Sequence, residues 1–180
     1  MSKQTETAER TKSNLSDAFW QLYCHNDISK ISIKNITDKA GYNRSTFYQY
    51  FTDINDVLGR IEDSVIGNIA ENVSEILSSE NEDDWMSRII EMYDEKSGYL
   101  SVLLGENGDP TFLDKLKAVM RPIYISKAKL GNDDFRANMA LEFTIAGSLA
   151  CIIYWHGQNK PVPAKEAVAI VRSIMKTGTL

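Results

Sequence analysis

Arg44, Ser45, Thr46, Tyr48, Gln49 and Tyr50 stand within one stretch of seven residues, and no carboxylate lies between Gly41 and Thr52. Their chemistry suits a polyanion with readable edges. An arginine guanidinium can donate two parallel hydrogen bonds to guanine, and a glutamine amide can pair with adenine. Hydroxyls can bond phosphate oxygens, contacts that set register without reading sequence. Upstream, Lys34 and Asn35 lie where they could grip the flanking backbone.

Such groups work only if a scaffold presents them on one side. At about 100° per residue, Phe47 and Phe51 fall one helical turn apart on an inner face. Ser45, Tyr48 and Gln49 then point outward, with Arg44 at the exposed N-terminal end. Before this helix, Ser32 is an N-cap candidate for a helix with Ile33, Ile36 and Ala40 on one face. Gly41 ends that helix as a residue able to take positive φ. Asn43 can cap the next one, Arg44 to about Phe51. The unit is helix, short glycine-containing turn, helix, which is helix-turn-helix spacing. A first helix from about Ala8 carries Leu15, Ala18, Phe19 and Leu22 as one apolar stripe. Asp53 caps a long fourth helix, Ile54 to about Ser78.

Further along, Trp85, Ile89, Ile90, Met92 and Tyr93 mark a fifth helix, and Tyr99–Leu104 a short apolar segment. Gly105–Pro110 is the strongest break in the chain. Helices are expected from Thr111 to about Lys129, with Pro122 a kink or boundary, and over Asp134–Trp155 and Ala164–Met175. Neither a strand nor an internal repeat is expected. The fold class is all-α: an N-terminal three-helix helix-turn-helix domain, residues 8–53, joined by a long helix to a C-terminal helical domain, residues 54–180.

Charge restricts the function. The 180 residues carry a formal net charge of −5, which is not the basic footprint usual for nucleic-acid binding. The acidity is unevenly placed. Residues 1–60 hold eight Lys/Arg against seven Asp/Glu, and residues 61–180 hold twelve against eighteen. DNA contact must therefore rest on a few well-placed cations. Cys24 and Cys151 show no disulfide framework or metal spacing, so no metal and no cofactor is expected. Gly-rich phosphate loops, nucleophile elbows and Cys/His/Asp clusters are missing, and His25 and His156 are the only histidines, so an enzyme is not expected. Met1–Arg10 has no apolar signal core. Met139–Trp155, with Glu142 inside, is short for a membrane span, and a buried helix explains it better. A cytoplasmic protein without a membrane partner follows.

The run Ile31–Leu58, "ISIKNITDKAGYNRSTFYQYFTDINDVL", resembles the DNA-binding domain of TetR-family transcriptional regulators. The matching elements are the Ser32 position, Ala40-Gly41, Thr46-Phe47-Tyr48, Tyr50-Phe51 and Leu58. The resemblance implies nine or so helices and a homodimer with one recognition helix per protomer in successive major grooves of a double-stranded, palindromic operator. It implies a regulator of transcription, a repressor in the first instance, open to release by a small-molecule effector of unspecified identity. Lys34, Arg44, Ser45 and Gln49 fall on positions that reach bases or nearby backbone; Thr46, Tyr48 and Tyr50 fall mostly on phosphate-contacting ones. There is one departure. Ile54 stands where the family often has lysine, after Thr52 and Asp53, so a phosphate-anchoring cation is replaced and an acid added. The helix N-terminus there is expected to offer backbone N–H groups to phosphate instead.

Asp134–Trp155, apolar on two faces, with the last helix resembles the family's dimerising four-helix bundle. Leu141, Ile145, Ser148, Leu149 and Ile152, with Val168 and Val171, are the expected dimer contacts. Phe135, Met139, Phe143, Ala146, Ala150 and Ile153 form the other face. Trp85, Tyr93, Tyr99, Phe112, Met120 and Tyr124 are the candidates to line an effector pocket, although each alone reads as core. Leu103–Lys117 resembles a C-terminal subgroup that includes regulators of dihydroxyacetone kinase genes. A rival reading keeps the fold and gives the protein protein partners, with weak DNA binding or none.

Overall fold

In the computed structural model, residues 3–78, 95–106, 108–128 and 135–177 are described, their side chains over 5–72, 95–106, 108–122, 125 and 135–174. The elements are α1 (Lys3–Tyr23), a 3-10 turn (Ile28–Lys30), α2 (Ile33–Ala40), α3 (Arg44–Tyr50) and α4 (Ile54–Ser78). There follow a helical stretch over 95–103 (α5), then α6 (Pro110–Ala128), α7 (Phe135–Gly157) and α8 (Ala164–Thr177). Among the described residues all regular structure is helical. The expected fifth helix around Trp85–Tyr93 lies outside them.

The chain divides into two compact units, Met1–Ser64 and Val65–Leu180, with the division inside α4. In the first, α1 packs on α2 and α2 on α3. Its buried apolar set is Leu15, Ala18, Phe19, Tyr23, Ile31, Ile36, Phe47, Phe51, Val57 and Leu58. Phe19 and Tyr23 stack with centroids 5.4 Å apart. α1 starts about five residues earlier than its apolar stripe predicts, because Thr5–Arg10 is mostly exposed and leaves no periodic signal. Helix formers such as Glu6, Ala8 and Glu9 extend the helix without burying anything.

In the second unit α7 packs on both α6 and α8. Leu103, Phe112 and Ile145 are the most deeply buried of its large side chains besides Ile69. Arg121 of α6 reaches α7, donating to Glu142 Oε1 at 2.6 Å and to Asn138 Oδ1 at 2.5 Å. α6 runs on through Pro122, which is exposed, as is Ala118 four residues back. Water can therefore take the carbonyl that proline leaves without a helical partner. Trp155 anchors the α7–α8 corner by donating from Nε1 to the Val162 carbonyl at 2.9 Å.

Two glycines shape the break before α6, Gly105 and, more tightly, Gly108. A Cβ on Gly108 would lie 2.0 Å from the Leu103 carbonyl oxygen. Gly108 cannot move away freely, since its N–H donates to Gly105 O at 3.0 Å. Gly108→Ala is expected to cost about 1–3 kcal/mol, seen as a lower midpoint in urea denaturation. An unchanged midpoint would show that the turn relaxes.

Candidate nucleic-acid interface

Three caps build the helix-turn-helix, and each is local. Ser32 Oγ accepts from Asn35 N–H at 3.2 Å, and Asn35 Oδ1 accepts from Ser32 N–H at 3.0 Å, a reciprocal box that starts α2. Gly41, at φ 75°, closes α2 in the left-handed region. The N–H groups of Gly41 and Tyr42 both donate to Thr37 O, the latter at 2.9 Å, which joins the 5→1 bond of an αL cap to the 6→1 bond of a Schellman ending. Asn43 then starts α3 by accepting from Thr46 N–H at 2.8 Å.

α3 has a clean division of faces. Phe47 and Phe51 are 0% and 2% exposed, with ring centroids 5.5 Å apart. Arg44, Ser45, Tyr48 and Gln49 are exposed, Tyr48 to 59%. Thr46 and Tyr50 are half-buried, and Lys34 on α2 is exposed. The structure thus places all seven expected residues within one unit, five of them open to solvent. Residues 31–52 carry Lys34, Lys39 and Arg44 against Asp38 alone, so this segment is net positive in an acidic protein.

Two details go beyond the sequence pattern. The hydroxyls of Ser45 and Thr46 already donate to Asn43 Oδ1, at 2.6 and 2.9 Å. Each must rotate away from the cap before it can donate to a phosphate. Tyr42 is absent from the expected set, yet its hydroxyl accepts from Asn14 Nδ2 at 3.0 Å and ties α1 to the turn. That pair spans 28 residues of sequence, so neither spacing nor composition signals it.

The start of α4 is capped by Asp53 as expected, and Asp56 adds a second contact. Asp53 Oδ1 accepts from Asp56 N–H and Asp56 Oδ2 from Thr52 N–H, both at 2.9 Å. Two backbone donors of this corner, those of Thr52 and Asp56, are thus held by the chain's own carboxylates.

α7 buries one of its two apolar faces and leaves the other open. Leu141, Ile145, Ser148 and Leu149 are 2–7% exposed within the single chain, and Ile152, Val168 and Val171 are half-buried. The opposite stripe is open: Phe135 75%, Met139 60%, Phe143 81% and Tyr154 70% exposed. α7 is therefore not covered on every side by its own chain. A side chain already covered has little left to bury against a partner, which leaves the open stripe and the half-buried Ile152, Val168 and Val171 as apolar surface. By length and composition α7 could cross a membrane, but its packing between α6 and α8 is that of a helix of the fold. Of the pocket candidates, Phe112 and Met120 are buried at 0% and 9%, and Tyr99 is 37% exposed. Trp85 and Tyr93, and the side chain of Tyr124, lie outside the described residues. Among the described residues no group of three or more His, Cys, Asp or Glu could hold a metal.

An all-α chain with a capped helix-turn-helix ahead of a helical second unit defines the class of helix-turn-helix regulators. The profile of a TetR-type transcriptional regulator C-terminal region matches residues 80–177, more than half the chain. The chain belongs to the TetR family of transcriptional regulators, which is non-enzymatic. Solved structures share the fold over nearly the full length. A TetR transcriptional regulator from Streptococcus agalactiae superposes with a TM-score of 0.71 at 16% identity, covering 96% of this chain and 97% of that one. The fatty acid degradation regulator FadR from Bacillus halodurans gives 0.70 at 14% identity, covering 93% and 95%. The dihydroxyacetone kinase operon activator DhaS gives 0.57 at 16% identity, also covering 93% and 95%. At these identities the likeness is one of fold. No curated protein matches the sequence.

Proposed function

We propose that the protein is a cytoplasmic, sequence-specific DNA-binding regulator that occupies a palindromic operator as a homodimer and represses by that occupation. The observation that carries the reading is α3, with Phe47 and Phe51 sealed inside and Arg44, Ser45, Tyr48 and Gln49 open on the other side. In this reading α3 enters a major groove, Arg44 and Gln49 read base edges, and Lys34 with the hydroxyls of Ser45, Thr46, Tyr48 and Tyr50 grips phosphate. A two-fold dimer matches half-sites about one helical turn apart. The open stripe of α7, with Ile170 and Ile174 of α8 at 38% and 36% exposure, supports self-association through these two helices. A small-molecule effector entering the second unit near Tyr99, Phe112 and Met120 would set occupancy.

The test is salt-titrated binding of the folded protein to its own upstream DNA. Six to ten phosphate contacts weaken affinity by about 10³–10⁵-fold between roughly 50 and 200 mM salt. Salt-insensitive binding, or none, favours the rival reading in which partners are proteins. Arg44→Ala is expected to lose about 1–3 kcal/mol of discrimination at one base pair. Tyr48→Phe is expected to weaken all sequences alike, by about 1–2 kcal/mol for a hydroxyl on a charged oxygen. If both variants bind as wild type does, α3 is not the reading helix.

A further inference from the structure

The corner between α3 and α4 is closed by its own charges. Asp53 caps α4 through Asp56 N–H, and Asp56 reaches back to Thr52 N–H. The same Asp56 carboxylate holds Arg60 by two contacts, Nε to Oδ1 at 2.8 Å and Nη2 to Oδ2 at 3.2 Å. The Arg60 guanidinium also lies 5.2 Å from the centroid of the buried Phe51 ring. Arg60 is the first basic residue after Arg44 in the sequence. The next cation along the chain is thus held in place, and Asp53, Asp56 and Arg60 together carry one net negative charge.

A helix N-terminus favours anions, through its unpaired N–H groups and the positive end of its dipole. Here two carboxylates take that role from within the chain. Asp53 is three residues past the end of α3, so its charge lies within about 10 Å of that end, a range where salt screens it only partly. Hydrogen bonding from Arg60, then from the Thr52 N–H, holds the Asp56 carboxyl below its usual range, so it stays charged at neutral pH.

We propose that Asp53 and Asp56 are affinity-limiting residues for DNA: they occupy the Thr52 and Asp56 N–H groups and the Arg60 cation that a phosphate would otherwise take. This rests on the DNA-binding reading above. The corner keeps operator affinity moderate while stabilising the fold, so the two roles pull in opposite directions under mutation. Asparagine at position 53 keeps the capping acceptor, because it caps helices about as well as aspartate. At position 56 its single amide oxygen can still accept from Thr52 N–H, while its NH2 group cannot accept from Arg60, so the charge is removed and Arg60 released together.

The experiment compares wild type, Asp53→Asn, Asp56→Asn and Arg60→Gln on the same upstream DNA across a salt series. Asp17→Asn, an exposed carboxylate on α1, controls for net charge. Asp56→Asn, by freeing Arg60, is expected to tighten binding about 3- to 10-fold and to steepen log K against log salt by about 0.9. Asp53→Asn tightens binding several-fold with a smaller change of slope. Arg60→Gln, which leaves Asp56 uncompensated, weakens it. Asp17→Asn stays within twofold of wild type. If wild type binds and neither Asp53→Asn nor Asp56→Asn binds more tightly, or if Asp17→Asn gains as much as they do, the corner is structural only and the DNA reading stands. If wild type and every variant lack salt-sensitive binding, the DNA reading and this proposal fall together. Thermal melting identifies any variant that fails to fold; should Asp56→Asn do so, Asp53→Asn decides.

Discussion

Phe47→Ala is expected to unfold α3 and to destabilise the Met1–Ser64 unit by about 3–5 kcal/mol. α3 has seven residues, far fewer than a helix needs to persist alone in water. It is held by its inner face. Phe47 is fully buried, 5.5 Å from the Phe51 ring and edge-on to Tyr48 at 5.7 Å. Truncation removes the ring, opens a cavity and deprives Tyr48 of its wall. Typical domain stability is about 5–15 kcal/mol, and a unit this small stands at the lower end. Amide hydrogen exchange should show loss of protection across Arg44–Phe51, and operator binding should vanish. Phe47→Leu, which keeps most of the buried volume, should retain both. Full protection in the alanine variant would mean that the caps at Asn43 and Gly41 hold the unit without its core.

The second large effect concerns assembly. Met139→Lys combined with Phe143→Lys is expected to leave the protomer folded and to convert a dimer into a monomer. The two side chains are 60% and 81% exposed in the single chain, so lysines there meet water and disturb little. In a two-fold interface every substitution counts twice, and four ammonium groups would face one another across an apolar seam. Loss of the second half-site removes the effective-concentration gain of bivalent binding, about 10²–10⁴-fold. Sedimentation velocity reads the assembly and anisotropy the affinity. Ile145→Ala is the contrast. It lies in the protomer's own core at 2% exposure, so it should cost about 2–5 kcal/mol of stability while the folded fraction still dimerises. A dimeric double-lysine variant would move the interface away from the open stripe.

The helix-turn-helix was the most legible part of the chain. Ser32, Gly41 and Asn43 act within a few residues of themselves, so α2, the turn and α3 can be read from composition and spacing. Phe47 and Phe51 share a face for the same local reason. Asp56 and Arg60 stand four residues apart on α4, a pairing that helical geometry also makes readable. The position of Arg60 over Phe51 is a tertiary matter, since Phe51 ends α3 and Arg60 lies in the second turn of α4. The Asn14–Tyr42 bond is another, made across 28 residues.

By itself the sequence determined the all-α class, the helix-turn-helix and the set of side chains it presents, because caps, turns and helical period are short-range properties. It did not determine which apolar face of α7 is covered. Leu141, Ile145 and Leu149 differ little in character from Phe135, Met139 and Phe143, and hydrophobicity has no direction of its own. Only the packing of α6 and α8 on α7 decided that the first set is core and the second is surface. The same holds at the start of α4. Asp53 reads as a cap in the sequence, but the way Arg60 is held between Asp56 and Phe51 beside it exists only once the chain is folded.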